Sequence, residues 1–416
     1  MSNSKEIHAL KSKLWIVTEL FYPDQTSTSF IVSKIADKMM EKYVVNVITD
    51  SSLYQENKFS NNSFFSIDER IKVVRVQSKK RDKNNLIQRT VKVISLSIKL
   101  ARVLYKNVSK GEKVFIVTNP ALLLVFLSWI KKIKRFQLYV LVHDVFPENT
   151  LPTGIIRSEK SFFYKLISSV FNRAYSATDG LIVLGRDMKE VVESKLIYVK
   201  EVSKPFIQII ENWADIDNIK PSINLPEILK VRHKEKFITV QYAGNIGRLQ
   251  GLENFLELLS LSTNKHLNFD LWGGGALSDN LKSWVDENDL GNRVKFHGSY
   301  SREDQNLILN SADIAIVTLS KGMYGLGVPS KTYNILAAGR PILFIGDLNS
   351  EIALLVKEND IGFCFSPDDR KGIVEFLNNL NVDSIPDLEE KGKNARVLAE
   401  EQYSENKILT RFMEVI

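Results

Sequence analysis

The chain has 416 residues, 44% hydrophobic and 25% charged; at about 150 residues per domain this predicts two large or three ordinary domains and excludes both a single small module and a disordered chain. The formal net charge of +7 conceals an asymmetry, because residues 1–200 carry +15, the remainder carries −8, and residues 70–135 alone hold 18 basic against 2 acidic side chains. Such a block points to nucleic acid, to an anionic membrane surface, or to a solvated face that aids solubility.

In chain order, LWIVTE (14–19) reads as a strand that ends in the loop FYPDQTST and feeds a helix from about Ser27, with Phe30, Ile31, Ile35 and Met39 on one face. Between residues 86 and 105, Ile87, Val91, Ile94, Ile98, Ala101 and Tyr105 recur at spacings of 3 and 4, and Arg89, Lys92, Lys99, Arg102 and Lys106 fall broadly opposite. A basic amphipathic helix of this kind lies on anionic lipid, gaining about 1 kcal/mol per engaged basic residue. Lys131 and Lys132 extend the patch, and packing of the apolar face on a sheet leaves the basic side outward. Further strands are expected at 44–49, 114–118, 137–142, 180–185 and 207–210, and Pro221 and Pro226 mark a boundary near 212–227. The second half restarts with FITVQYA (237–243), the loop GNIGRLQG and a helix carrying Leu252, Phe255, Leu256 and Leu259; FDLWG, VKFHG, IAIVTL, PILFIG and GFCF follow as strands. The rhythm predicts an α/β fold of two Rossmann-like, doubly wound domains, residues 1–212 and 213–390, with a terminal helix at 391–416. Ligands of such sheets bind outside the carboxyl ends of the strands, so two domains facing across a cleft would bring those loops together.

The lone cysteine, Cys364, forms no internal disulfide, and MSNSKEIHALK has no apolar stretch of a signal peptide, so a reducing cytoplasm is the expected location. The longest apolar run, at 121–130, is ten residues, about half the ~20 that a spanning helix needs.

The most informative stretch is YGLGVPSKTYNILAAGRPILFIG (324–346). Glycines allow close backbone approach, Pro329 suits a helix start, and Gly339 with Pro341 ends the helix, so Ser330 and Lys331 fall in its first turn. The helix N-terminus and the Lys331 charge suit a phosphate, and Asn334 follows one turn later at ribose distance; the plainer alternative is a serine-capped helix with a solvated lysine. Gly244, Asn245, Gly247 and Arg248 form a second flexible loop directly after a strand. Neither loop matches GxGxxG with its acidic partner or GxxxxGK[ST], which argues against dinucleotide oxidoreductases and P-loop kinases.

The ordered set ELFYPD, HDVFPEN, GLIVLGRDM, ENWAD, YAGNIGRLQG, LWGGG, VKFHGSY, SADIAIVTL and GVPSKTYNILAAGRPI resembles the retaining family 4 glycosyltransferases of the GT-B fold. The likeness runs over nearly the whole chain and is greatest to the bacterial branch that acts in O-antigen, capsule and colanic-acid synthesis. It implies a nucleotide-sugar site in the second domain, an acceptor site in the first, and a terminal helix that crosses back to the first domain. By position it assigns Gly244, Asn245, Gly247, Gly274, Gly298, Gly325, Leu326, Gly327, Val328, Ser330 and Asn334 to the donor, with Arg248 and Lys331 standing in for the two cations that the family places at the pyrophosphate. The family's paired glutamates fall on Leu326 and Asn334, which removes two charged groups. His143 matches the family's active-site histidine, while Tyr22, Thr28, Ser29 and Asp144 sit where the acceptor is bound; a capped turn is the plainer reading of Asp144 and Glu148. His8, His233, His266 and His297 read as structural.

The resemblance further implies a UDP-sugar carrying a hexose or N-acetylaminosugar, a polyprenyl-linked or glycan acceptor, retention, no metal or cofactor, and a cytoplasmic, peripheral place on the inner face of the membrane. Asp215-Ile216-Asp217 matches a DxD metal motif in form, but its linker position argues for coincidence. The alternatives are a UDP-sugar 2-epimerase and a degenerate protein that binds nucleotide sugar beside a partner transferase. Nucleic acid is not expected as a partner, since the basic segment shows no interleaved surface aromatics and no recognisable module.

Overall fold

The computed structural model describes residues 11–24, 26–51, 66–78, 86–196, 204–222 and 226–416. The chain divides into two compact units: the first takes the described residues up to Thr150, Ile156–Ile210 and Leu409–Ile416, and the second takes Leu151–Ile155 and Glu211–Ile408.

In the first unit β1 (Lys13–Val17), β2 (Val44–Asp50), β3 (Lys72–Val76), β4 (Lys113–Val117), β5 (Gln137–Val142), β6 (Gly180–Val183) and β7 (Phe206–Ile209) form one parallel sheet in the order β3-β2-β1-β4-β5-β6-β7. The inner strands are near-continuous apolar runs, as a sheet covered on both faces requires. The strand β3 was not expected from the sequence. It is an edge strand with only Val76 buried, so its KVVRV pattern lacks the buried apolar run that marked its neighbours. The order reverses between β1 and β4, which puts the switch point, and the loops after β1, β4 and β5, at one carboxyl-end rim.

The helices are α1 (Ser27–Met39), α2 (Leu86–Asn107), α3 (Leu122–Lys134), α4 (Phe162–Ser176) and α5 (Arg186–Ser194). Crossovers that run rightward from β3 through β6 are right-handed on one face of the sheet, so α2, α3 and α4 lie side by side there, α2 against α3 and α3 against α4.

Here α2 departs from expectation. Its sheet-facing side is Leu96, Ser97, Leu100, Ala101 and Leu104, all buried. The periodic row Val91, Ile94, Ile98 and Tyr105 is exposed, roughly a third of a turn away, and only Ala101 of the described members of that row is buried. A helix with two apolar faces satisfies a 3- and 4-residue period with either of them, and the sequence singled out the outer one. Trp129, like Tyr105, stands on the surface, contrary to the reading that the basic segment lacks exposed aromatics.

The second unit holds β8 (Ile238–Ala243), β9 (Leu267–Trp272), β10 (Val294–Gly298), β11 (Ile314–Thr318), β12 (Ile342–Ile345) and β13 (Gly362–Phe365), all parallel, in the order β10-β9-β8-β11-β12-β13. Its helices are α6 (Glu227–Lys234), α7 (Leu252–Leu261), α8 (Ser278–Glu287), α9 (Gln305–Leu309), α10 (Lys331–Ala337), α11 (Glu351–Glu358), α12 (Arg370–Asn379), α13 (Ile385–Glu401) and α14 (Glu405–Val415). Phe255 of α7 meets Phe269 of β9 edge-on at 4.8 Å in a core built from both elements. The switch point lies between β8 and β11.

The terminal segment expected as one helix over 391–416 is two, broken at Gln402–Ser404, where Ala214 N–H donates to the Tyr403 carbonyl at 2.7 Å. Only Leu409–Ile416 joins the first unit. There Phe412 packs on Phe115 at 6.4 Å, Arg411 donates to the Ile209 carbonyl at 2.6 Å, and the Tyr43 hydroxyl donates to the Ile416 carbonyl at 2.6 Å.

Candidate active site

The loops at the carboxyl ends of β8, β9, β10 and β11 in the second unit are stitched together by backbone contacts that glycine makes possible. Ile246 N–H donates to the Gly274 carbonyl at 3.0 Å and Gly273 N–H to the Gly298 carbonyl at 2.7 Å. A Cβ on Gly273 would lie 1.9 Å from the Gly244 oxygen. From the other side of the switch point, Ser320 N–H donates to the Leu249 carbonyl at 2.9 Å and its hydroxyl to the Arg248 carbonyl at 3.1 Å.

Lys331 enters this rim from the start of α10. Its ammonium lies 3.5 Å from the centroid of the Tyr242 ring and directly over Gly244, where a Cβ would stand 2.7 Å from Nζ. The Tyr242 ring is itself held, its hydroxyl donating to the Asn245 carbonyl at 2.6 Å. Nζ is out of solvent and has no hydrogen-bond acceptor, and burial pushes its ammonium down to about 7. A buried, unpartnered cation held only by an aromatic face is costly unless an anion completes it. The helix behind it is only seven residues, so Lys331 adds its own charge to the positive end of a short helix.

The remaining expected donor residues are less uniform. Asn245 and Arg248 are exposed, Gly247 is buried, and Gly325, Leu326, Gly327, Val328 and Ser330 form the run leading into Lys331. Leu326 is buried, its amide donating to the Met323 carbonyl at 3.2 Å. Asn334 is not a free ribose partner: its carbonyl accepts from Asp215 N–H at 3.2 Å and its amide donates to Gln305 Oε1 at 3.3 Å. Asp215 in turn caps a turn, accepting from Asn218 N–H at 3.2 Å and Nδ2 at 2.9 Å, which gives the DxD-like carboxylate a structural use.

Beside Gly274 and Gly298, His297 stacks on Trp272 at 4.1 Å and pairs with Asp270 at 3.4 Å. His233 pairs with Asp313 at 2.7 Å and His266 packs on Phe237 at 5.2 Å, as structural histidines should; His8 lies outside the described residues.

In the first unit His143 and Asp144 follow β5, and both backbone amides donate to the Thr118 hydroxyl at 3.1 Å, a residue at the end of β4 that sequence reasoning passed over. Burial lowers the His143 imidazole to about 4 and raises the Asp144 carboxyl to about 6, so at neutral pH the ring is uncharged and the carboxylate is ionised. His143 Nε2 is out of solvent with no hydrogen-bond partner.

Below this loop Glu148 accepts from Lys195 Nζ at 2.5 Å, Tyr175 Oη accepts from Phe146 N–H at 3.4 Å, and Phe146 stacks on Phe171 at 6.0 Å. At the β1 loop the helix cap is Thr26, accepting from Ser29 N–H at 3.3 Å. Ser29 is wholly buried and offers no hydroxyl to a ligand, Thr28 is half-buried, and Tyr22 is fixed by its amide to Ser33 Oγ at 3.1 Å.

The basic patch is also redistributed. Lys92 pairs with Glu19 at 3.3 Å, Lys99 donates to the Gln77 carbonyl at 2.6 Å, and Lys131 pairs with Asp179 at 2.8 Å, while Arg102, Lys106 and Lys132 face solvent. The side chain of Arg89 lies outside the described residues.

The sequence pattern of the glycosyl transferases group 1 family matches residues 226–397, the part of the chain that builds the rim around Lys331. A Pseudomonas aeruginosa protein named as a probable glycosyltransferase, WbjE, is 31% identical over 410 residues, 96% of each chain. The chain belongs to the group 1 glycosyl transferases. Another relative in this group of glycosyl transferases is an Escherichia coli protein assigned by its name to colanic acid biosynthesis, WcaI, 26% identical over 204 residues, 49% of this chain and 47% of that one. Among solved structures, Anabaena HepE in complex with UDP superimposes with a TM-score of 0.67 at 14% identity, over 97% of this chain and 99% of that one. This group 1 glycosyl transferase therefore shares the GT-B architecture of two parallel, Rossmann-like sheets. No helix among the described residues is long and apolar enough to cross a membrane.

Proposed function

We propose that this glycosyl transferase moves a hexose or N-acetylaminosugar from a UDP-sugar to a lipid-linked or glycan acceptor, with retention and without a metal, in cell-surface polysaccharide synthesis at the cytoplasmic membrane face. The observation that carries the reading is the buried, unpartnered Lys331 ammonium over Gly244 at the switch point of the second sheet. In the reaction the bond from the sugar C1 to the diphosphate oxygen breaks, negative charge grows on the diphosphate, and the acceptor oxygen bonds to C1 on the same face. The acceptor proton passes to the departing phosphate. Stabilising that diphosphate is the main electrostatic task; Lys331 supplies a desolvated charge, and Arg248 on the adjoining loop supplies a solvated one. The family resemblance assigns neutral His143 to the sugar as a hydrogen-bonding group and Asp144 to an acceptor hydroxyl.

Support for the donor class comes from HepE, which is of the same architecture and was solved with UDP. Support for the setting comes from the name of WcaI. The test supplies radiolabelled UDP-glucose, UDP-galactose, UDP-N-acetylglucosamine and UDP-N-acetylgalactosamine to the protein with membrane extract, in the presence and absence of EDTA. Label should enter the lipid-extractable or glycan fraction from one donor, undiminished by EDTA. Epimerised donor without any acceptor, or tight UDP binding with no turnover of any donor, would overturn the transferase reading. The loss of the two motif glutamates, at Leu326 and Asn334, is the feature that favours the second of these outcomes.

A further inference from the structure

The outer face of the helical layer formed by α2, α3 and α4 has a composition unlike the rest of the molecule. Residues 86–107, 122–134 and 162–176 contain ten Lys and Arg and not one Asp or Glu, whereas α5, the next helix in the chain, carries three acidic residues in nine. More than half of the large apolar side chains exposed among the described residues stand on these three helices. On α4, Phe162, Phe163, Leu166 and Val170 line one side, with Phe162 83% exposed and Phe163 61% exposed. Trp129 and Ile133, one turn apart on α3, are 60% and 69% exposed. Isolated surface apolar residues are ordinary, but a contiguous set on neighbouring helices marks an interaction surface.

Charge decides what covers it. Apolar and aromatic side chains interleaved with cations, and with no anion on any of the three helices, complement an anionic lipid bilayer. A face that pairs with a second copy of itself would set the solvent-facing cations Arg102, Lys106 and Lys132 against their like with no carboxylate on these helices to offset them, which is unfavourable.

We propose that an anionic membrane docks on this face, with Phe162 and Phe163 of α4 inserted below the headgroups, Trp129 at the interface and Arg102, Lys106 and Lys132 on the phosphates. This sharpens the electrostatic patch read from the sequence into an insertion surface led by a helix that the patch did not include. The same helix holds the acceptor loop from its inner side: Phe171 stacks on Phe146, and the Tyr175 hydroxyl accepts from the Phe146 amide. The element that meets lipid is thus the element that carries the His143–Asp144 loop, a suitable arrangement for an acceptor drawn from the bilayer. Only that purpose rests on the acceptor class proposed above; the docking itself does not.

The experiment is co-sedimentation of the full chain with vesicles of phosphatidylcholine alone or mixed with phosphatidylglycerol, without donor or acceptor, alongside UDP binding as an independent check of the donor site. The wild type should partition onto the phosphatidylglycerol vesicles. Phe162→Glu/Phe163→Glu should lose at least about 100-fold in partitioning, equivalent to about 2.8 kcal/mol, and keep the wild-type affinity for UDP. Fluorescence quenching by brominated lipid should be present in the wild type and diminished in Trp129→Phe. Unchanged partitioning of the double glutamate variant would overturn insertion by α4. A wild type that ignores vesicles but forms a dimer dissolved by the same substitutions would assign the face to a second copy. Absence of UDP binding with vesicle binding intact would sink the donor reading alone.

Discussion

Replacing Lys331 with alanine lowers sugar turnover by about 10²- to 10³-fold, the usual effect of removing one preorganised group that faces charge developing in the transition state. The expectation follows from placement. The ammonium is out of solvent, stacked 3.5 Å from the Tyr242 ring centroid, and without an acceptor, so its interaction with a diphosphate is strong and needs no reorganisation. Thermal denaturation separates this from a folding effect. An unpartnered buried cation destabilises the protein on its own, so the Lys331→Ala chain unfolds at the same temperature as the wild type or higher, while its activity collapses. A variant that loses activity and stability together would assign Lys331 to the scaffold.

The second large effect is expected at Gly244. Its φ of +149° is one that L side chains rarely adopt, and a Cβ there would lie 2.7 Å from Lys331 Nζ and 3.0 Å from Cε. The atoms in the way are the far end of a flexible side chain, so in Gly244→Ala the ammonium moves aside, while the backbone strain at this φ shows separately as a lower melting temperature. A misplacement of about 1 Å costs on the order of 10²-fold in rate. The two residues then act as one unit. Gly244→Ala/Lys331→Ala should be no slower than Lys331→Ala alone, a non-additivity that a kinetic double-mutant cycle reads directly. Multiplicative losses would mean that Gly244 serves the donor by a route other than placing Lys331.

Much of this was legible in the residues. Apolar runs such as QLYVLV and ITVQYA are buried strands with few alternatives, and the glycines at 273 and 275 in LWGGG mark a loop that has to approach other backbone closely. The place of Lys331 at a helix start was visible from Pro329 and Ser330 before it. Its actual partner, Tyr242, was not visible, because an aromatic in a strand reads as core, and only the fold brings it under a lysine 89 positions on in the chain.

Side-chain pairings account for most of the remaining differences. Asn334 was expected to face a ribose, yet it is held by the Asp215 amide and Gln305. Lys92 and Lys131 were counted as surface charge, yet each meets a carboxylate 73 or 48 positions away. The face of α2 was misjudged for a different reason, since a helix apolar on two sides does not reveal from its period which side meets the sheet.

The most direct test of Lys331 as the diphosphate's partner is the number of protons taken up when UDP binds, measured by titration calorimetry in buffers of different ionisation enthalpy. Burial holds the free ammonium at about 7, below its ordinary value, so above pH 7 the unliganded lysine is mostly neutral. The diphosphate selects the charged form and raises its affinity for protons. At pH 8 the wild type should therefore take up close to one proton per UDP, with affinity falling as pH rises through 7, and Lys331→Ala should take up none from this source. Equal proton uptake in the two proteins, with equal affinity for UDP, would contradict the account.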